Sequence, residues 1–168
     1  MNETVRWFKI PAPALEALID RDLERASQQV GISLSPFFTT DEAIRRWHMR
    51  LDQARQDERA LDWIAQVVTH HNRVIGHAGF HGPPDETGMV EVAYTVEPAL
   101  RGRGYAKVML AGLLERARQE PAVRTVRATI RPDNTASLAT IRPFPFAHKG
   151  EQWDDVDGLE LIFEIDVK

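Results

Sequence analysis

The chain has 168 residues, of which 43% are hydrophobic and 27% are charged, so it is long enough for one packed core and too apolar for a disordered chain. We therefore expect a single domain over residues 1–168. The absence of cysteine excludes disulfides, thiolate metal sites and a cysteine nucleophile. The net charge of −4 disfavours a nucleic-acid partner, because proteins that bind nucleic acid are usually basic.

The N-terminal part begins with an extended segment that is followed by helices. Val5–Ile10 contains two aromatic residues and is predicted to be a strand. The N-terminus lacks a signal-peptide pattern, and no uncharged stretch approaches the roughly 18 residues of a membrane span, so we expect a cytoplasmic protein without a membrane partner. Pro13 is placed to begin a helix whose apolar residues recur at helical spacing as far as Leu23. Val30–Phe38 is predicted to be a loop, and a second helix begins after Thr40.

The remaining elements complete one mixed sheet. The predicted strands are Leu61–Val68, Arg73–Phe80, Met89–Val96, Val123–Ile130 and Leu159–Val167, with a further short strand near Phe144–His148. The predicted helices are Gly102–Gln119 and Asn134–Ile141. This order joins hairpins to a β-α-β unit and predicts an α/β fold of the mixed α+β type, with helices on both faces of the sheet.

An anion-binding pattern follows the strand Met89–Val96. A turn at Pro98 leads into the basic, glycine-interrupted run Arg101–Lys107, and a helix then begins. The start of a helix leaves backbone N–H groups unpaired and carries partial positive charge. Small residues allow phosphate oxygens to approach those groups, and Arg101 and Arg103 add charged donors. The segment therefore predicts a site for phosphate groups.

Two common phosphate motifs do not fit this run. A Walker A loop requires lysine and then serine or threonine after its second glycine, but Gly104 is followed by Tyr105. The dinucleotide pattern Gly-x-Gly-x-x-Gly is met by Gly102 and Gly104 and fails at Lys107. The preceding strand also alternates polar and apolar residues, whereas the strand of a dinucleotide fold is nearly continuously apolar.

A different family accounts for the loop. Arg101-x-x-Gly104-x-Ala106 resembles the Gln/Arg-x-x-Gly-x-Gly/Ala pyrophosphate loop of the GNAT N-acyltransferase superfamily. Asn134-x-x-Ser137, farther along the chain, resembles a second motif of that superfamily, whose asparagine contacts CoA. The order of the predicted elements is similar to the GNAT fold over nearly the whole chain.

The run Glu91–Tyr94 ahead of Pro98 looks like the branch that contains ribosomal-protein N-terminal acetyltransferases. The resemblance implies a GNAT fold and an acyl-CoA-dependent N-acyltransferase. It further implies that acetyl-CoA is the cosubstrate and that the acceptor is a primary amine of a small molecule or of a peptide N-terminus. No metal is implied.

The resemblance also indicates where the cofactor binds. In GNAT proteins the strand that corresponds to Met89–Val96 parts from the strand that corresponds to Val123–Ile130, and pantetheine lies in the gap. Unpaired main-chain groups at a strand edge suit an amide-bearing chain. The implied cofactor-binding residues are Tyr94, Thr95, Val96, Arg101, Gly102, Arg103, Gly104, Tyr105, Ala106, Lys107, Asn134 and Ser137.

A base is implied because alkyl amines are mostly protonated at neutral pH. Glu91 lies at a position that is often acidic in the family and is the candidate catalytic residue for this step. The alternative is a solvent-facing glutamate on a half-exposed strand. His77 is a second candidate base. His77 and His81 share one face of their predicted strand, but no acid-assisted ligand spacing accompanies them, so we expect no metal site.

The proton donor for the leaving thiolate is the point at which the sequence departs from the family. Counting back from Phe146, the tyrosine that often serves this role falls at Ile141. Ser137 is the candidate catalytic replacement, and the alternatives are a bond from Ser137 to CoA or to the helix backbone and an unassisted departure. Arg142–Phe146 contains two prolines and either reshapes the acceptor pocket or forms a rigid turn.

The acceptor and the assembly stay open at this level. The acceptor candidates are a protein N-terminus, an amino sugar, a polyamine and an amino acid derivative. Val30–Phe38 and Gly82–Gly88 are the predicted acceptor loops, and the second carries Asp85 and Glu86, which suit a cationic amine or a solvated loop. Alternative functions are a non-catalytic CoA-binding sensor and an acyltransferase for a longer acyl-CoA. Dimers are frequent among similar proteins, so a homodimer is an open alternative to a monomer.

Overall fold

The computed structural model describes residues 4–168 as seven strands and five α-helices joined by short 3₁₀ turns. The strands are β1 (Val5–Lys9), β2 (Gln66–His70), β3 (Arg73–Phe80), β4 (Met89–Val96), β5 (Thr125–Ile130), β6 (Ala147–Asp154) and β7 (Gly158–Asp166). The helices are α1 (Ala12–Ile19), α2 (Leu23–Val30), α3 (Asp41–Gln56), α4 (Tyr105–Gln119) and α5 (Thr135–Ile141). The predicted mixed α/β class is confirmed.

Two clusters of buried side chains lie on opposite faces of the sheet. Neighbouring residues of a strand point to opposite faces. Accordingly, Val67 of β2 packs with Leu15 of α1 and Trp47 of α3, whereas Val68 packs with Leu110 of α4. Within residues 4–168, no helix combines the length and the apolar character needed to cross a membrane.

The sheet is continuous at one end of β4 and open at the other. Its strand order is β1-β2-β3-β4-β5-β7-β6, and β4 and β5 form its parallel pair. The β3–β4 pairing runs as far as Val96, opposite Gly76, whereas the β4–β5 pairing ends at Glu91, opposite Arg127. Beyond Glu91 the two strands diverge, and the β5-facing edge of β4 has no strand partner there. This divergence positions the site.

Several predicted element bounds were wrong for local reasons. The helix predicted from Pro13 to Leu23 is two helices, because Arg21 adopts φ 58° and the chain restarts under an Asp22 cap. The helix after the basic loop begins at Tyr105 rather than Gly102. The strand predicted from residue 61 begins only at Gln66, after a 3₁₀ turn.

The last hairpin is longer than the sequence indicates. The short strand expected near Phe144–His148 is an eight-residue strand, β6, that pairs with β7 at the edge of the sheet. Its residues are mostly polar and exposed, so the alternation that marks a half-buried strand is missing.

Candidate active site

A cleft opens where β4 and β5 diverge. The β5-facing edge of Tyr94–Val96 lines one side without a strand partner, and residues of α5 lie opposite. The cleft has a volume of about 590 Å³ and reaches the start of α4. A free strand edge of this kind can pair with the amide groups of an extended ligand.

The loop before α4 is shaped by glycines. Gly102 and Gly104 adopt φ of 77° and 84°, which is the left-handed region that favours glycine. Gly104 is the N-cap of α4 and no side chain caps the helix, so its first N–H groups are free to bind an anion. The Arg101 Nε donates to the Val96 carbonyl oxygen at 3.2 Å, which ties the loop to the end of β4.

The opposite wall of the cleft comes from α5. The Asn134 Oδ1 accepts a hydrogen bond from the Ser137 backbone N–H at 3.1 Å, so this oxygen caps the helix and leaves the amide nitrogen to donate. The Ser137 side chain shares a hydrogen bond with the Tyr94 hydroxyl. Burial raises the pKa of Tyr94, and the bond to Ser137 offsets only part of that rise. The phenol is therefore neutral at physiological pH.

A second cavity meets the first at Tyr94, Thr95 and Ser137, which line both. Its volume is about 240 Å³. Side chains from α3, from the end of β3, from β4 and β5 and from the β6–β7 turn converge on it. The two cavities therefore adjoin at these three residues.

Glu91 and His81 form a hydrogen-bonded pair beside the second cavity. The His81 Nδ1 donates to the Glu91 Oε2 at 2.9 Å, and the Thr129 hydroxyl donates to the Glu91 Oε1 at 2.8 Å. Burial raises the pKa of the Glu91 carboxyl, but the hydrogen bonds from His81 and Thr129 outweigh it, so this pKa lies below its ordinary value. The carboxylate is ionised and fixes the tautomer in which the His81 Nε2 is free to accept a proton.

Comparison with known proteins decides the family. A model of the Acetyltransferase (GNAT) domain matches residues 11–144. The chain belongs to the GNAT acetyltransferase family. It is 29% identical over 157 residues to the uncharacterized N-acetyltransferase YjdG of Bacillus subtilis (strain 168), which covers 89% of this chain and 90% of that protein.

Solved structures show the same GNAT fold. One is the ribosomal L7/L12 α-N-protein acetyltransferase RimL in complex with coenzyme A, with a TM-score of 0.67, 16% identity, and coverage of 99% of this chain and 96% of that chain. Another is the microcin C7 self-immunity acetyltransferase MccE in complex with acetyl-CoA and AMP, with a TM-score of 0.67, 14% identity, and coverage of 98% and 93%. The GNAT family and fold predicted from the sequence are confirmed, and so is the enzyme class, an acyl-CoA-dependent N-acetyltransferase that uses acetyl-CoA.

The structure brings most of the predicted GNAT cofactor residues to one cleft. All of them except Arg103 line the space between β4 and α5. Arg103 is exposed on the same loop and points no atom into that lining. The hydroxyl of Tyr105 lies 3.2 Å from the His70 Nδ1, so this side chain also packs against the end of β2.

His77 lines the second cavity, but its burial makes it a poor base. It is buried among Phe37, Phe38 and Trp47, and its ring centroid lies 4.9 Å from that of Trp47. Burial, together with the charges of two nearby arginines, lowers the pKa of His77 to about 3. A neutral imidazole with so low a pKa holds a proton too weakly for this role.

The sequence did not single out the arginines of α3. Arg46 and Arg50 lie one helical turn apart and line the second cavity. Their spacing could have placed them on one face of the helix, but nothing in the sequence ties that face to the end of β4. The same holds for Asp157 of the β6–β7 turn and Glu160 of β7, which also line the cavity.

The other flagged segments have local structural roles. Ile141 is buried, and Arg142–Phe146 forms a compact turn in which the Phe144 N–H donates to the Ile141 carbonyl oxygen at 2.9 Å. Asp85 is exposed, and its Oδ1 accepts from the Thr87 hydroxyl and from the Met89 N–H, which orders its own loop. Within residues 4–168, no group of three histidine, aspartate or glutamate side chains is arranged to hold a metal ion.

Proposed function

We propose that this GNAT chain, acting as one domain over residues 1–168, transfers the acetyl group of acetyl-CoA to the primary amine of a small molecule or of a peptide N-terminus. The observation that carries this proposal is the meeting of two cavities at Tyr94, one lined by the anion-binding loop and the other by His81, the hydrogen-bond partner of Glu91. A transferase needs two adjoining binding sites, because the acyl group of the cosubstrate and the amine of the acceptor must come into contact.

The cofactor cleft supplies the groups that a pyrophosphate and an amide chain require. The free N–H groups at the start of α4, with Arg101 and Lys107, suit the two phosphates. The unpaired edge of β4 at Tyr94–Val96 suits the pantetheine amides, and a free N–H of that edge can donate to the thioester oxygen. The Asn134 amide nitrogen is left to donate from the opposite wall.

Acetyl-CoA supplies an activated acyl group: the amine nitrogen bonds to the carbonyl carbon and the carbon–sulfur bond breaks. The acceptor ammonium loses two protons in all, of which one passes to the medium and the other ends on the leaving thiolate. The ionised Glu91 carboxylate attracts the cationic amine and holds His81 by its Nδ1. The His81 side chain is 47% exposed, so its Nε2 can accept the proton of the amine and pass it to solvent.

The hydroxyl groups of Tyr94 and Ser137, where the two cavities meet, can supply the proton that the leaving thiolate takes up. Tyr94 remains neutral because burial raises its pKa, and it is hydrogen-bonded to Ser137. A neutral hydroxyl can donate to a developing thiolate. Tyr94 and Ser137 together are therefore the proton donor where the family's tyrosine is replaced by Ile141.

The test is a calorimetric titration of the full chain with acetyl-CoA, with NAD and ATP as control ligands, followed by an amine screen that records CoA release. We expect selective binding of acetyl-CoA, about tenfold weaker in Arg101→Gln because one charged hydrogen-bond donor is lost. Arg118→Gln at the exposed end of α4 removes the same charge and should leave the affinity unchanged. Binding without turnover of any amine would instead support a CoA-binding sensor, and failure to bind would contradict the proposal.

A further inference from the structure

The guanidinium of Arg50 is buried beside the second cavity, here called the acceptor cavity, and it has no carboxylate partner. Arg50 is 8% exposed, and its Nη1 donates only to neutral oxygens, the Gln53 Oε1 and the His81 carbonyl, each at 3.2 Å. Its Nε is buried without a hydrogen-bond partner, and no carboxylate of the described part of the chain lies within 4.0 Å of it. A buried charge without a counterion is unfavourable, so this arrangement lacks an anion.

A second arginine adds to the same positive wall. Arg46 precedes Arg50 by one turn of α3 and lines the same cavity. Its ion partner is Glu42, at 3.7 Å, whose side chain is 77% exposed, so this pairing compensates little of the charge. Like charges four residues apart destabilise a helix unless an anion lies between them. Burial and the charge of Arg46 lower the pKa of Arg50, and Glu91 offsets them only in part.

The remaining walls of the cavity carry the opposite charge. Asp157 of the β6–β7 turn and Glu160 of β7 line it, and Glu91 lies beside it, bonded to His81. The cavity is thus positively charged at α3 and negatively charged toward the Glu91–His81 pair. Its volume of about 240 Å³ equals the share of about eight water molecules, which limits the bound part of the acceptor to a small molecule or a single residue.

We propose that the acceptor is a small amine that also carries a carboxylate, as a free amino acid does, and that Arg46 and Arg50 bind the carboxylate while the amine lies at the Glu91–His81 pair. The planar, forked guanidinium matches a carboxylate, and the bound carboxylate supplies the anion that Arg50 lacks. This inference rests on the proposed acetyl transfer and names the class of its acceptor.

The primary test is a comparison of matched acceptors by acetyl-CoA-dependent CoA release. The twenty amino acids are each compared with the corresponding carboxamide and with short peptide amides. We expect kcat/KM for at least one amino acid to exceed that of its carboxamide by tenfold or more. Equal rates for the pair, or a preference for peptide amides, would overturn the inference while leaving acetyl transfer intact.

Variants then separate binding of the carboxylate from a structural role of the arginines. Arg46→Gln and Arg50→Gln should lower the ratio of kcat/KM for the carboxylate acceptor to that for its carboxamide at least tenfold. Arg45→Gln, on the exposed face of α3, removes the same charge and should keep the preference. If Arg46→Gln, confirmed as folded by circular dichroism, weakens both acceptors equally, the arginines only support the fold and the inference fails.

A binding measurement covers the case in which no amine is acetylated. N-acetyl amino acids and N-acetyl amino acid amides are titrated into the full chain with CoA present, and amide NMR shifts are followed. Binding of the carboxylates alone, lost in Arg46→Gln, would support the carboxylate site even though acetyl transfer had failed. Equal binding of acids and amides, or binding of neither, would overturn the inference.

Discussion

The two cavities of this GNAT protein are built in different ways. The cofactor cleft is formed mainly by main-chain groups of β4 and by the loop before α4, which are consecutive in sequence, and α5 closes its opposite wall. The acceptor cavity is formed by side chains from α3, β3, β4, β5 and the β6–β7 turn, which are far apart in sequence. In the proposed function, the cosubstrate is recognised by backbone geometry that a short motif specifies, whereas the acceptor is recognised by side chains that only the fold assembles.

The largest loss of kcat should follow a substitution in the Glu91–His81 pair beside the acceptor cavity. Glu91→Gln removes the charge that attracts the amine and holds His81, so we expect kcat to fall about 100-fold or more, as for loss of a general base. Because Glu91 lies outside the cofactor cleft, the affinity for acetyl-CoA should be unchanged. CoA release and calorimetry measure the two quantities.

His81→Gln is the partner control for this prediction. It should lose a similar factor in kcat, and the double variant should lose little more, because the two residues act as one unit. A Glu91→Gln enzyme that keeps more than a third of the wild-type rate would show that the amine is deprotonated elsewhere.

A backbone change in the loop before α4 should weaken the binding of acetyl-CoA. Gly104→Ala places a Cβ at φ 84°, which costs about 1–2 kcal/mol and disturbs the N–H groups at the start of α4. We expect the dissociation constant of acetyl-CoA to rise about tenfold.

Gly31 offers a matched control for that change. It has φ 92° at the end of α2, and like Gly104 it has no atom within 4 Å of an added Cβ. Gly31→Ala should lower the free energy of unfolding by a similar amount without changing acetyl-CoA affinity. If Gly104→Ala and Gly31→Ala bind acetyl-CoA with equal affinity, the loop before α4 does not contribute to cofactor binding.

The junction of the cavities should respond more mildly. Tyr94→Phe removes one hydroxyl, and we expect kcat to fall about fivefold to tenfold because one hydrogen bond to the developing thiolate is lost. Ser137→Ala should lose less, and the double variant should lose less than the product of the two effects, because the hydroxyls share a hydrogen bond. Independent, multiplicative losses would contradict a joint role.

The smallest effect on catalysis should come from the buried imidazole. The pKa of His77 is lowered to about 3, so the unfolded chain takes up a proton first as the pH falls below about 6.5. This residue therefore contributes stability above that pH and loses it on acidification, by about 2 kcal/mol at pH 5. Denaturant unfolding of His77→Gln should show a weaker loss between pH 7 and pH 5.

His48→Gln, at an exposed position of α3, is the control and should keep the wild-type pH dependence of unfolding. The pH profile of activity should stay the same in folded His77→Gln, because the buried His77 stays neutral and the proposed proton acceptor is the exposed His81. A shift in the pH profile of activity in His77→Gln would show instead that His77 acts as the base.

The parts that the sequence predicted are local. The glycines at 102 and 104 and the short helix near Asn134–Ile141 could be assigned because each depends on neighbouring residues. The Glu91–His81 pair could not, since it forms only when β3 and β4 align and the His81 N–H bonds the Glu91 carbonyl oxygen at 2.8 Å. The break at Arg21 was missed because apolar residues continue at helical spacing through a residue with positive φ.

Amide hydrogen exchange with and without acetyl-CoA tests most directly the claim that the gap between β4 and β5 is the cofactor cleft. Because the edge of β4 and the start of α4 have unpaired N–H groups in this structure, we expect strong protection over Val92–Val96 and Gly104–Lys107 when acetyl-CoA binds. The β6–β7 hairpin should change little. Protection confined to other elements, with none along β4 and α4, would contradict the account.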